Sequence, residues 1–226
     1  MSPGSFFLDA LEWSAIRQDL NMAILKGNLH AHTTFSDGRF AVEEVISRYR
    51  DLGYDFLAIT DHDDMIEPDY WMNIPASDDR MIILPGVELD YRPLSQHVGK
   101  VTGDRETLYV LNHPARYGLT VEQTLRRVRR ISEEWFPIHA VELSDTGVYR
   151  AEYDVDGLQL PKIATDDSHN DEHIGRGWIE LSAARNPDAI LRAIKAGDFT
   201  VGFGSGGVTH PVPRPRPDEV SSRKPS

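Results

Sequence analysis

His30 and His32 stand two residues apart in the segment GNLHAHTTFSDG. Side chains on a strand repeat with a period of two, so both imidazoles face one way, the spacing that two ligands of one metal ion need. Asp61 and His62 directly follow the apolar run FLAIT. In parallel α/β folds the C-terminal ends of strands carry the site, and a carboxylate and an imidazole placed there can both ligate an ion. Glu88 closes the apolar stretch IILPGVEL, where a carboxylate is costly without charged partners. Its two oxygens could bridge two ions. His113 ends LYVLNHP, and Asp167 and His169 share a spacing of two in IATDDSH, with Asp166 as a neighbour able to substitute. Each residue alone has an ordinary structural explanation. Five strand ends delivering His, Asp or Glu to one place would leave those groups repelling one another, and a divalent cation removes the repulsion. Nitrogen and oxygen ligands suit Mn, Zn or Fe.

The elements that must position these residues follow from periodicity. Short apolar runs near 28–31, 56–60, 81–84, 108–111, 138–143 and 178–181 read as buried strands. Helices lie between several of them. Residues 41–52 carry Val42, Val45, Ile46 and Tyr49 on one face and stop at Gly53. Residues 120–131 open with Thr120 and Gln123 in capping-box spacing. Residues 187–196 open with Asn186 as a cap and Pro187 behind it, and end at Gly197. This alternation predicts an α/β architecture with parallel strands. Residues 1–25 read as a helical lead with Phe6, Leu8, Leu11, Trp13 and Ile16 available for packing, residues 26–203 as one domain, and residues 204–226 as a disordered Pro/Arg/Ser tail.

Composition narrows the function classes. The chain has 226 residues and a formal net charge of −12, which argues against a nucleic-acid backbone or an anionic membrane as the main partner. It has no cysteine, so disulfides, thiolate metal sites and cysteine nucleophiles are excluded. No apolar run approaches the roughly 18 residues of a membrane span, and the N-terminus has no basic segment leading into an apolar one. The expected location is cytoplasmic. The basic run LRRVRRI at 125–131 reads as the solvated face of a helix. Oligomeric state is open.

In order, GNLHAHTTFSDG, AITDHD, PGVE, NHP and TDDSH resemble the polymerase-and-histidinol-phosphatase (PHP) superfamily of metallohydrolases, over roughly residues 26–203. The opening segment, the DDSH form of the last motif and AIKAGDFTVGF look closest to its carbaryl-hydrolase-like branch. The resemblance implies a distorted (β/α)7 barrel, a single domain, with two or three divalent ions. Carried over by motif, His30, His32, Glu88 and Asp167 would hold one ion. Glu88 would bridge to a second, which His113 also binds, and Asp37, His62 and His169 would hold a third. For a further ligand of the second ion the candidates are His97, His139 and Glu142.

Ions in such a site lower the pKa of bound water towards about 7, which implies hydrolysis without a covalent intermediate. A leaving group also needs a proton donor. His97, His139 and Asp61 are the candidates. Arg116 in HPARYG and Arg176 in GRGW are candidates for contacting a substrate phosphate. The expected activity is phosphoesterase action on a small phosphorylated metabolite or nucleotide. The alternatives are hydrolysis of a carbamate, amide or ester, and a barrel that binds metal or ligand without turnover.

Overall fold

The computed structural model describes residues 22–204 and the backbone of His210 and Pro211. Helix α1 (Val42–Asp51) buries Val42, Val45, Ile46 and Tyr49 and is followed by Gly53 at φ +74°, a left-handed stop that suits glycine. Helix α2 (Tyr70–Asn73) is a single turn. Helix α3 (Val121–Glu134) opens with the capping box, Gln123 N–H donating to Thr120 Oγ1 and Thr120 N–H to Gln123 Oε1. Helix α4 (Pro187–Ala196) is capped by Asn186, which accepts from Ala189 N–H at 2.9 Å.

The strands are β1 (Met22–Asn28), β2 (Phe56–Ile59), β3 (Ile82–Tyr91), β4 (Gln96–Thr102), β5 (Thr107–Leu111), β6 (Ala140–Glu142), β7 (Ser144–Asp145), β8 (Val148–Tyr149), β9 (Lys162–Ile163), β10 (Gly177–Ala184), β11 (Phe199–Phe203) and β12 (His210–Pro211). Ten of them form one sheet in the order β12-β11-β10-β1-β2-β3-β4-β5-β6-β9. Beyond its last paired strand the sheet turns back on itself. Ala31, past β1, bridges Ser168, past β9, and His32 N–H donates to Ser168 O at 2.9 Å. The result is an α/β fold with a nearly closed, barrel-like sheet.

The sheet is mixed, which corrects the expectation of parallel strands throughout. β1–β2, β2–β3, β5–β6 and β6–β9 are parallel, but β3–β4, β4–β5 and β1–β10 are antiparallel. For β3–β4 and β4–β5 the cause is the β4 hairpin, which the apolar runs do not reveal. Between Val98 and Val101 this strand carries only Gly99 and Lys100, so it has no run to detect. Gly103, Asp104, Arg105 and Glu106 separate it from β5, and the Gly103–Asp104 turn dipeptide in that short loop between two extended segments is the signal that could have found it. Two boundaries also move. Residues 22–25 belong to β1 rather than to a helical lead, because they pair in register with β10. His210 and Pro211 pair with β11, so this part of the expected tail is extended backbone on the sheet. Residues 1–21, the rest of the expected lead, lie outside the described residues, as does most of residues 205–226.

The core lies on both sides of the sheet. Along β2, Phe56 and Ala58 join a cluster with Leu25, Leu84 and Ile179, whereas Leu57 and Ile59 join Val45, Tyr49 and Tyr70 beneath α1. A strand buried on both faces is continuously apolar, as FLAI is. The ladder also continues past the last apolar residue, where His62 bridges Glu88 of β3. One edge of the barrel is therefore polar and regularly held.

Candidate metal centre

Three groups of imidazoles and carboxylates meet at that edge. His30, Glu88, His113 and Asp167 form one, His32, Asp37, His62 and His169 a second, and His62, Glu88 and His97 a third. Within each, one ligand atom per residue lies within 4.8 Å of all the others. The parallel strands bring their C-terminal ends here, and antiparallel β4 brings its start, which is how His97 arrives.

Glu88, 1% exposed, is the shared member. Its Oε1 lies 3.2 Å from His30 Nε2, 3.1 Å from His113 Nε2 and 3.2 Å from His97 Nδ1. Its Oε2 lies 3.2 Å from His62 Nδ1 and 3.5 Å from His32 Nε2. Asn112 Nδ2 donates to Oε1 at 2.8 Å and fixes the carboxylate. Burial pushes this carboxyl up, but the His30 charge and the close ring nitrogens of His113, His30 and His97 outweigh burial and hold it well below its ordinary range. Asp167 behaves alike. Burial raises it, whereas the His30 charge and the adjacent His32 ring nitrogen hold it well down.

Two atoms test whether these residues fit a cation. Asp167 Oδ1 is buried and has no hydrogen-bond partner, although His30 Nε2 and His32 Nε2 each lie 3.3 Å away. His97 Nδ1 is likewise buried and unpartnered beside Glu88. The two nitrogens His30 Nε2 and His32 Nε2 face each other at 3.1 Å. Lone pairs converging on a point with too few protons between them match a divalent ion, and the all-nitrogen-and-oxygen donor set suits Mn, Zn or Fe.

His32 lies between the two larger groups: its Nε2 is 3.1 Å from His30 Nε2, 3.3 Å from Asp167 Oδ1 and 3.5 Å from Glu88 Oε2, the partners implied by motif, and it also gathers with Asp37, His62 and His169. The left-handed backbone of His113 (φ 27°) and Asp167 (φ 46°) turns both side chains inward. Such conformations cost on the order of 1–3 kcal/mol and cluster at functional sites. Gly38, just after Asp37, packs on the His32 carbonyl, where a Cβ would lie 2.5 Å from the carbonyl carbon. Only glycine lets the Asp37 turn fold onto His32.

Two expected site residues are corrected by position, and a third, Arg176, stands beside Arg116 through their shared contact with Thr146. Asp61 is fully buried, and its oxygens are taken by Thr33 N–H at 2.7 Å, Ser36 Oγ at 2.6 Å and Thr33 Oγ1 at 2.9 Å. It anchors the loop between His32 and Asp37 and does not itself face the ligand groups. His139 precedes β6, at the opposite end of that strand from Glu142. Its Nδ1 accepts from Tyr109 N–H at 3.0 Å, and its ring stacks on Tyr109, so it is neither ligand nor proton donor to the centre. Arg176 is turned to the Thr146 carbonyl at 3.5 Å. Arg116 does reach the centre: it pairs with Asp167, and Asp145 Oδ1 and Thr146 Oγ1 hold it at 3.1 Å. His97, a candidate proton donor, sits among the ligands.

Glu142 stands behind the ligands instead of among them. His30 Nδ1–H donates to its Oε1 at 2.7 Å, Thr165 Oγ1 donates to the same oxygen at 2.7 Å, and His113 N–H donates to Oε2 at 2.8 Å. A carboxylate on the far nitrogen fixes a ligand histidine's tautomer and orientation. Asp166 plays a comparable part for its segment. It accepts from Tyr49 Oη, Gly175 N–H and Gly177 N–H. Burial lifts its carboxyl to about 6.

The PHP domain model matches residues 28–186, more than half of the chain, and the chain belongs to that family. Among curated relatives, a 5'-3' exoribonuclease of Haemophilus influenzae is 25% identical over 202 residues, covering 83% of this chain and 69% of the relative. The 5'-3' exoribonuclease Rnm of Salmonella typhimurium is 32% identical over 119 residues, covering 51% and 38%. The DNA polymerase/3'-5' exonuclease PolX of Bacillus subtilis is 30% identical over 87 residues, covering 33% of this chain and 15% of its own length. The chain thus spans between 15% and 69% of these relatives. A solved two-domain protein of Bacteroides vulgatus, described as "containing predicted PHP-like metal-dependent phosphoesterase", matches the fold with a TM-score of 0.58 at 18% identity, covering 82% of this chain and 66% of that one. Among the described residues no helix is long and apolar enough to cross a membrane.

Proposed function

We propose that this chain is a divalent-metal-dependent hydrolase of phosphoester bonds, acting on a small phosphorylated metabolite or nucleotide. The observation that carries the proposal is Glu88, whose two oxygens face ring nitrogens of two different ligand groups, as a carboxylate shared between ions must. Divalent ions held there would supply Lewis acidity towards a phosphoryl oxygen and would acidify a water.

The chain's own residues do the rest. Glu142 keeps His30 Nδ1 protonated, so Nε2 presents its lone pair. Asn112 and the ring nitrogens hold Glu88 ionised. Arg116, 39% exposed at the mouth and tied to Asp145 and Thr146, can turn part of its fork to a substrate phosphate without leaving the site. His97, with its side chain 27% exposed, presents Nδ1 to Glu88 at 3.2 Å and would serve as a ligand at the rim. The location we propose is cytoplasmic.

The net charge of −12 disfavours a long nucleic-acid tract, but the exoribonuclease names of two relatives favour a second reading, in which the substrate is the 5' end of a short RNA. One panel separates the readings. The protein loaded with Mn²⁺, Zn²⁺ or Fe²⁺ is given p-nitrophenyl phosphate, nucleoside monophosphates and bisphosphates, short 5'-phosphorylated RNA and an aryl carbamate. Turnover of phosphate esters that stops with chelator supports the proposal. Turnover of the carbamate alone would replace it with the chemistry expected of the carbaryl-hydrolase-like branch. Metal binding with no turnover at all would favour a binding barrel.

A further inference from the structure

Helix α3 carries the basic run Leu125–Ile131, which the sequence assigns to solvent. Two of its arginines behave that way. Arg126 pairs with Glu122 and Arg130 with Glu134, both one turn away on the same helix. Arg127 does not. Its Nη1 donates to Gln96 Oε1 at 2.9 Å, and its guanidinium lies 5.2 Å from the centroid of the Tyr117 ring. Gln96 and Tyr117 are the two side chains that hold the main chain of His97. Gln96 is fully buried, and its Nε2 donates to the His97 carbonyl at 2.9 Å and to the Asn112 carbonyl at 2.8 Å. Tyr117 Oη accepts from His97 N–H at 3.2 Å, and its ring stands edge-on to the His97 ring at 6.3 Å.

His97 sits at the end of the β4–β5 ladder. That pairing ends at Val98 and Leu111, and past it one main-chain bond remains on that side, from Asn112 N–H to the His97 carbonyl at 3.1 Å. The left-handed Ser95 (φ 46°) comes two residues earlier. Its imidazole must present Nδ1, the nitrogen nearer the backbone, to Glu88 at 3.2 Å. A ligand that works through Nδ1 has little freedom to swing, so a shift of its peptide moves the ligand atom directly.

We propose that Arg127 is a positioning residue. By gripping Gln96 and Tyr117 together, it fixes the His97 peptide and so completes the His62–Glu88–His97 group. This rests on the reading of the centre as a metal site. The juxtaposition is one guanidinium touching both side chains that hold one ligand's N–H and C=O.

The test is metal titration of the whole chain by calorimetry with Mn²⁺, alongside elemental analysis, for the wild type, Arg127→Met, Arg127→Lys, Tyr117→Phe and Arg129→Met. Arg127→Met keeps most of the stem over the Tyr117 ring but removes the donor. Its weakest-bound ion should lose about 10-fold to 100-fold in affinity, or leave the stoichiometry one lower, with the tighter binding unchanged. Arg127→Lys should recover part of the loss, Tyr117→Phe should show a smaller loss, and Arg129→Met should match the wild type. The proposal is overturned if Arg127→Met and Tyr117→Phe both bind metal like the wild type. It is also overturned if Arg127→Met raises KM with metal binding intact, which would make the arginine a substrate contact. A wild type that binds metal but turns over no phosphate ester leaves this comparison valid, and so separates failure of the functional reading from failure of this one.

Discussion

Replacing Glu142 by Gln changes one oxygen to an amide nitrogen and leaves shape and volume nearly unaltered. In the structure both oxygens accept: Oε1 from His30 Nδ1 and Thr165 Oγ1, each at 2.7 Å, and Oε2 from His113 N–H at 2.8 Å. A glutamine cannot satisfy all three. With its carbonyl towards His30, its NH₂ faces His113 N–H, donor against donor. With its NH₂ towards His30, it drives the ring to the tautomer that carries its proton on Nε2, the nitrogen that must bind an ion. Losing one charge-assisted hydrogen bond costs about 1.5–3 kcal/mol. Losing the carboxylate behind a ligand histidine typically weakens metal binding 10-fold to 100-fold, or about 1.4–2.8 kcal/mol. The two routes agree. Calorimetric titration of Glu142→Gln should therefore show the ion of the His30 group bound about 10-fold to 100-fold more weakly, and two-bond ¹⁵N–¹H spectra should show His30 shifted towards the Nε2–H tautomer. An affinity within twofold of the wild type, with the Nδ1–H tautomer retained, would refute the orienting role of Glu142.

Three further outcomes follow from the same geometry. In the ion-free protein burial lowers the His30 pKa, but the charges of Glu142, Glu88 and Asp167 outweigh it and raise it well above its ordinary value. His30 is then protonated at neutral pH, and an ion must displace that proton. Loading at pH 7 should release about one proton or more per chain, with affinity rising from pH 6 to pH 8; binding heats that do not vary between buffers of different ionisation enthalpy would contradict this. Asp61→Asn should lower the melting temperature and weaken ions held by Asp37, His62 and His169 in parallel, because an amide keeps only one of the two oxygens that accept from Thr33 and Ser36. A variant with full metal content and normal melting but no turnover would restore Asp61 as a proton donor. His139→Ala should leave metal content and kcat/KM within about twofold of the wild type, and a hundredfold loss of kcat with normal stability would contradict its placement.

Much of the centre is legible in the sequence because strand ends repeat a simple rule. His30 and His32 face one point, as a period of two requires, and His62, Glu88, His113 and Asp167 each follow or close an apolar run. Errors arise where position along the chain and position in space part company. Asp61 and His62 are neighbours, yet one turns into the loop it anchors and the other into the centre. His139 precedes β6 and Glu142 ends it, so they lie at opposite ends of that strand, and only the second reaches the ligands. Arg127 looks like its solvated neighbours because its partners, Gln96 and Tyr117, come from elements that no helical pattern encodes. The antiparallel hairpin of β4 was hidden by its polar residues, and with it the reason why His97, at a strand's start, joins side chains from strand ends.

The account turns on Glu88 being shared between cations. Anomalous diffraction from crystals grown with Mn²⁺, recorded at the metal edge, tests this directly. The expected map has at least two peaks, one within coordination distance of each Glu88 oxygen, with His30 and Asp167 on one side and His62 on the other. A map with no peak against Glu88, or with ions only on exposed carboxylates away from these histidines, would contradict it.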